Sequence, residues 1–338
     1  MAFQYTLYVG FQDNRDDILY DGVSYYTSKL IDHLKITYRQ IAIDFERSAA
    51  IDMENYLFTA LNPVRIQLYK AVCYYLAVTG KIPDTDRIWI AWNGQEFTLD
   101  KDRLTRHWAN CEITYTMDPG VACKCFEKDG KTCYVAITYF LKAQLDLFSH
   151  DRFRAAWSGL NALYNHLSED WHENAKLNAL SQYLINNPPV RVQEYIRTLP
   201  KSFWKSISWY NYLQNHGLDK TIKDVFITEM YQDKTIYTYL GSCAISRISA
   251  EEKKTGKSGR AKLLKDKFDR KRTKKTDRIN EQLRFLVIQY CYMLRNRSFH
   301  ADKPYPIFGL FDEQEDGVES ILTTVLLMVI RDTMTDLA

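Results

Sequence analysis

The sequence predicts a mainly α protein, with an all-helical region at residues 148–338 behind a mixed α/β domain at 1–147. Three observations carry this prediction. Period-two alternation and β-prone runs are confined to the first part of the chain. After about Leu147 every segment has either helical periodicity or loop composition. A 338-residue chain with 46% hydrophobic residues can bury a substantial core.

Taken in order, FQYTLYV at 3–9 alternates and reads as a strand. Two long helices are predicted next, Ser24–Phe45 and Met53–Val78, the second closed by Gly80 and Pro83. Strands are expected at RIWIAW (87–92) and CEITYT (111–116). VACKCFE and KTCYVAI read as a further pair joined by Lys128-Asp129-Gly130-Lys131, an Asp-Gly hairpin signal. Phe153, Trp157, Leu160, Tyr164 and Leu167 then recur at i, i+4, i+7, i+11 and i+14, an apolar helical stripe. More helices are predicted near 172–186, 190–198, 201–215, 219–231 and 234–248, punctuated by Pro188-Pro189, Pro200 and Gly217. A helix from about Thr276 carries Ile279, Leu283, Leu286, Tyr290 and Met293 on one face. The last, about Val318–Leu337, contains ILTTVLLMVI, an apolar run too short to span a bilayer and read as core.

Composition excludes several classes. No apolar stretch is long enough for a membrane helix, and MAFQYTLYVG lacks a basic region followed by an apolar run, so the expected compartment is the cytoplasm. Seven cysteines spread over the chain suit reduced thiols better than a disulfide framework. The net charge of +3 conceals an asymmetry: Glu252 to Arg278 holds thirteen Lys or Arg against four acids, a local +9 that leaves −6 elsewhere.

The stretch LRNRSFHADKPYP, 294–306, places Arg295, Asn296 and His300 where a helical pattern runs out before two prolines. With twenty Arg and seven His, that Arg-His spacing is expected about 0.4 times by chance; requiring the Asn lowers this to about 0.02. Two readings stand. In one, Arg295 and His300 serve the last carbonyls of the helix and give only stability. In the other, the helix loosens after about Arg297 and the histidine swings back toward the arginine. Histidine can then move protons near neutral pH while the guanidinium grips a phosphate, which suits metal-free RNA cleavage by the 2′-hydroxyl.

LRNRSFHAD resembles the Arg-Asn-x3-His motif of HEPN-domain ribonucleases, and FRAAWSGLNALYNHL at 153–167 resembles their opening helix. The resemblance implies an antiparallel helical bundle that dimerises so that two motifs form one composite site. It implies catalytic roles for Arg295 and His300, with Asn296 as polar helper, no cofactor, and products bearing a 2′,3′-cyclic phosphate and a 5′-hydroxyl. An RNase toxin or antiviral defence effector is the role it suggests. The N-terminal domain would then act as sensor or regulator, taking a regulatory protein or a small-molecule or nucleotide signal. The region here is longer than a minimal HEPN bundle and carries a basic insertion at about 250–277. The alternative expectation is a non-catalytic RNA-binding or protein-interaction module built on the same dimeric bundle.

Within the insertion, Lys257, Arg260, Lys271, Arg272, Lys274 and Lys275 are expected to form a flexible arm that neutralises RNA phosphates, or else a solvated loop. Gly256-Lys257-Ser258 is not a phosphate-binding loop, because the required earlier glycine is Glu251. His107, Cys111, Cys123, Cys125 and Cys133 raise the question of zinc without a Cys-x2-Cys knuckle, and lining of a small β core is the preferred account. His166 and His172 amid Glu169, Asp170 and Glu173 are read as a helix end and exposed loop. The aromatic run WKSISWYNY (204–212) is read as bundle or dimer packing ahead of base stacking.

Overall fold

The computed structural model describes residues 2–27, 29–59, 62–101, 112–215, 231–256, 258–299 and 313–337. Among the described residues it is mainly helical, with a sheet confined to the N-terminal part. The chain falls into two compact units, residues 1–166 with 330–338, and residues 167–329.

The first unit contains β1 (Phe3–Phe11), β2 (Ile18–Tyr25), β3 (Ile31–Thr37), β4 (Gln40–Arg47), β5 (Thr85–Trp92) and β6 (Gln95–Leu99). They form one antiparallel sheet in the order β2-β3-β4-β1-β5-β6. Its register aligns Leu34, Ile43, Leu7 and Ile90 across four strands, and all four are fully buried. Helix α1 (Pro63–Thr79) packs on β3 and β4. Asn62 caps its start by accepting from the Arg65 amide, Pro63 opens it, and Gly80 ends it at φ +66°. Lys70 of this helix is buried and donates to the Tyr25 carbonyl at 2.7 Å, while desolvation pushes its ammonium pKa down. Helices α2 (Pro119–Ala122), α3 (Lys131–Leu145) and α4 (Ser149–Leu167) follow. The stripe on α4 is borne out, with Phe153, Trp157, Leu160 and Tyr164 buried.

The helix predicted from Met53 begins only at Pro63, where Asn62 caps it, after a single 3₁₀ turn at Tyr56–Phe58. Three further expectations in this unit are overturned. Ser24–Phe45 is not a helix. His33-Leu34-Lys35-Ile36 alternates exposed and buried residues with period two, and Thr37 turns the chain by accepting from the Arg39 and Gln40 amides. Residues 112–116 form no strand: the Tyr115 amide donates to the Gln144 side chain and the Met117 amide to Ala77, so the segment pairs with helices instead. The hairpin at 121–137 is helical. Asp118 caps α2, and Gly130, where a Cβ would collide with the Lys124 carbonyl, permits the close turn that leads into α3.

The second unit holds α5 (Glu173–Asn186), α6 (Val190–Thr198), α7 (Lys201–Ser206), α8 (Trp209–Asn215), α9 (Lys234–Thr255) and α10 (Arg260–Arg272). A near-continuous helix follows: α11 (Ile279–Arg284), a π-helical turn (Phe285–Tyr290) and α12 (Cys291–Phe299). Its predicted apolar face is buried at Leu283, Leu286, Tyr290 and Met293. The last helix, α13 (Glu313–Leu337), buries Leu322, Val325, Leu326, Leu327, Val329 and Ile330. Among the described residues no helix is long and apolar enough to cross a membrane. The helix expected at 219–231 lies, except for Tyr231, outside the described residues.

The basic insertion is a helical hairpin, not a flexible arm. Tyr237 of α9 and Phe268 of α10 stack at 5.0 Å with parallel rings, and Gly241 leaves room for Phe268, which would otherwise strike a Cβ. At the tip, the Glu252 carboxylate accepts from the Arg260 and Ala261 amides in the first turn of α10. At the base, buried Asp233 accepts from the Ile236 and Arg278 amides and the Gln282 side chain, while Glu281 accepts from the Gln232 and Asp233 amides. Asp233→Ala removes a helix cap and strands two further donors, so a loss of about 3 kcal/mol is expected as a lower urea midpoint. Lys262→Ala on the exposed face of α10 is expected to change stability by less than about 0.5 kcal/mol in the same titration.

Candidate active site

Helix α12 carries the motif. Buried Cys291, Met293 and Leu294 anchor it, leaving Arg295 and Asn296 half-buried. Successive residues on a helix point in different directions, yet Arg295 Nη1 folds across to donate to Asn296 Oδ1 at 2.8 Å. The same Nη1 lies 3.7 Å from Glu173 Oε2, in the first turn of α5, where the helix dipole favours a carboxylate. Asn296 and Glu173 thus both engage Arg295 Nη1. The helical backbone persists to Phe299, so the loosening expected after about Arg297 does not occur there. His300 lies outside the described residues.

Behind the motif, the π turn places Gln289 against Tyr212 and Tyr231. The two hydroxyls are 2.6 Å apart, and both approach Gln289 Oε1. Two protons therefore serve three close oxygens, one linking the tyrosines and one reaching the amide. Burial pushes Tyr231 up to about 12 and Tyr212 higher, so both stay protonated across the physiological range. Tyr290 accepts from the Ser208 amide, and Arg284 donates to Ser181, tying this helix to its neighbours. The aromatic run at 204–212 is packing, as expected: Trp204, Trp209 and Tyr212 are buried, and Trp209 stacks on Phe285 at 5.1 Å.

Glu173 belongs to the stretch read as an exposed loop, and sequence reasoning missed its role because its partner comes more than a hundred residues later. The adjoining loop holds Trp171, whose surface is 89% exposed against 79% for Leu147. Asp170 accepts from the His172 amide and Ser168 from the Asp170 amide, which fixes the turn.

Of the expected RNA-contacting cations, Arg260, Arg272 and Lys274 are exposed on the hairpin. Lys271 is half-exposed, and Lys275 donates to Gln232 and sits over the Tyr237 ring. Lys257 lies outside the described residues. Exposed Lys262, Lys265 and Arg270 share α10 with them, and its seven Lys or Arg against two Asp give a formal +5. From Arg278 to Arg295 the helix rises about 25 Å at 1.5 Å per residue. The hairpin base and the motif are therefore separate regions of one element.

Cys123, Cys125 and Cys133 lie on helical segments and not on the strands of the small β core expected for them. Cys125 is fully buried and burial raises its thiol well above the ordinary range; Cys123 donates to the Gly120 carbonyl. Among the described residues no three His, Cys, Asp or Glu side chains are placed to hold a metal ion, and His107 and Cys111 lie outside them.

The Glu173–Arg295 pair is about one-third exposed, so it positions more than it stabilises. Glu173→Gln is expected to change the unfolding free energy by less than about 1 kcal/mol in urea titration, against the larger loss at Asp233. Comparison with protein-family models, with curated proteins and with solved structures gave no match.

Proposed function

We propose that residues 148–338 form a HEPN-like, metal-independent endoribonuclease acting as a homodimer, with each motif supplying half of a composite site. The observation that carries this reading is the placement of Arg295, half-buried at the end of a packed helix and oriented by Asn296 and Glu173, five residues before His300. A planar guanidinium held this way offers a fork for a phosphate.

In the proposed reaction the 2′-oxygen attacks phosphorus as His300 takes its proton. The P–O5′ bond breaks, and a second His300 protonates the leaving 5′-oxygen. Arg295 stabilises the charge on the phosphorane, with Asn296 fixing its orientation. The products are a 2′,3′-cyclic phosphate and a 5′-hydroxyl. The hairpin cations supply non-specific RNA affinity, and the N-terminal domain, residues 1–147, receives the controlling signal from a regulatory protein, small molecule or nucleotide. By family analogy, the role is that of an RNase toxin or antiviral effector in the cytoplasm.

One observation favours the second reading, a non-catalytic RNA-binding or interaction module. The Arg295 charge is already met by Glu173, as a purely structural arginine would be.

The two readings separate in a cleavage assay with EDTA. Cleavage is expected to persist, and Arg295→Ala and His300→Ala each to lower kcat by roughly 10²–10⁴-fold. Loss of cleavage on chelation, or full activity in both variants, contradicts the mechanism, while binding without cleavage supports the module. For the hairpin, Arg272→Gln combined with Lys274→Gln is expected to reduce the slope of log affinity against log salt for single-stranded RNA by about 1.4, near 0.7 per phosphate contact. An unchanged slope would remove these two residues from the interface.

A further inference from the structure

Glu173 puts an anion where the substrate's own anion belongs. Its Oε2 lies 3.7 Å from Arg295 Nη1, the same nitrogen that donates to Asn296 Oδ1 at 2.8 Å. The two oxygens differ in kind. Asn296 is the next residue on α12 and reaches Nη1 at hydrogen-bond length, so it travels with the guanidinium. The carboxylate comes from α5 and stands beyond that length, where it meets Nη1 through charge. We propose that Glu173 is a built-in competitor of the substrate phosphate: its carboxylate rests on Arg295 in the free protein and has to leave before a phosphodiester can take the guanidinium. This inference rests on the reading of Arg295 as the residue that grips phosphate, and it adds a regulation of that site.

Three features make the carboxylate a competitor and not a permanent partner. The side chains of Arg295 and Glu173 are 25% and 34% exposed, so water screens their attraction and favours the closed pair by no more than roughly five to one. Glu173 also has a second resting place. It opens α5, whose preceding residue His172 gives no side-chain cap, so the positive end of the helix dipole receives the carboxylate when it withdraws. A phosphate, finally, offers two oxygens to the planar fork, a stronger grip than one carboxylate oxygen at ion-pair distance. Apparent affinity falls with the fraction of molecules in which Arg295 is open, so the carboxylate weakens phosphate binding roughly two- to sixfold. It leaves before the bound complex forms, so kcat does not feel it. A carboxylate that braced the guanidinium for the reaction would act the other way, and its loss would lower kcat.

The test uses the full chain, a fluorescein-labelled RNA fully 2′-O-methylated so that it is not cut, and the same RNA unmodified. At fixed ionic strength, fluorescence anisotropy is expected to show Glu173→Gln binding the uncut RNA roughly two- to sixfold more tightly than wild type. Glu173→Asp keeps the charge at the start of α5 but shortens its reach toward Arg295, and is expected to tighten binding as well. Glu169→Gln removes the same charge from the exposed loop nearby, and its affinity is expected to stay within about 1.5-fold of wild type. In an Arg295→Gln background, Glu173→Gln is expected to change nothing. On unmodified RNA, Glu173→Gln is expected to lower KM and to leave kcat within about twofold. Unchanged or weaker binding in Glu173→Gln overturns the competitor, as does an equal gain in Glu169→Gln, a gain that persists without Arg295, or a fall in kcat beyond that range. The outcomes also separate this inference from the reading it rests on. A gain that requires Arg295, without any cleavage of unmodified RNA, leaves the competitor standing and removes the catalysis; cleavage that requires Arg295, with a KM indifferent to Glu173, does the reverse.

Discussion

Three donors converge on the buried carboxylate of Asp233: the Ile236 amide that starts α9, the Arg278 amide that precedes α11, and the Gln282 side chain. Glu281 answers by accepting from the amides of Gln232 and Asp233, and Lys234 pairs with the Thr276 carbonyl beside them. A carboxylate taken from water is tolerated only when its lone pairs are met, and here the donors that meet them come from both ends of a forty-residue excursion. The hairpin of α9 and α10 can therefore carry a formal +5 on one helix and remain ordered. Its base is fixed by hydrogen bonds that do not depend on the charges outside. The same contacts set where α11 begins, and hence the phase with which the motif helix leaves the hairpin.

The helical half of the fold was legible because its signal is local. On α4 and along 279–293 the burial of one face repeats at the helical period, and the structure buries those residues. The sheet was less legible for reasons that particular residues explain. In 24–45, Leu34 and Ile36 alternate with His33 and Lys35, and Ile43 and Phe45 with Asp44 and Glu46, a period-two pattern obscured by buried Ala42 and by the turn at Tyr38-Arg39. Asn93-Gly94, with φ of +48° and +76°, makes the β5–β6 turn and is a stronger hairpin signal than the Asp129-Gly130 pair that drew attention. An Asp-Gly pair marks a place where the backbone must pass closely or turn. Whether strands or helices flank it depends on what the flanking residues pack against.

The site divides in the same way. Arg295 and Asn296 were visible from the motif, and their mutual hydrogen bond follows from adjacency. Glu173 was not, because an isolated loop acquires meaning only from what tertiary packing brings to it. A stretch such as Ser-Glu-Asp-Trp-His-Glu reads as solvated until α5 sets its first carboxylate against α12. The π turn also has no sequence signature at this level. It places Gln289 where two buried tyrosine hydroxyls need an acceptor, which ties the segment just before the motif to α8.

The charges on this unit act over two different ranges. At physiological salt the screening length is about 8 Å, whereas the hairpin base stands about 25 Å along the helix from Arg295. The basic residues thus cannot tune the guanidinium directly; they can only raise the local concentration of a polyanion. At Arg295 the balance is short-ranged and is set by Glu173 at 3.7 Å. A pair this exposed is worth no more than about 1 kcal/mol, less than the roughly 1.5–3 kcal/mol of a hydrogen bond to a charged group. In the proposed reaction an incoming phosphate that forms two such bonds would displace the carboxylate while Asn296 keeps the guanidinium aimed.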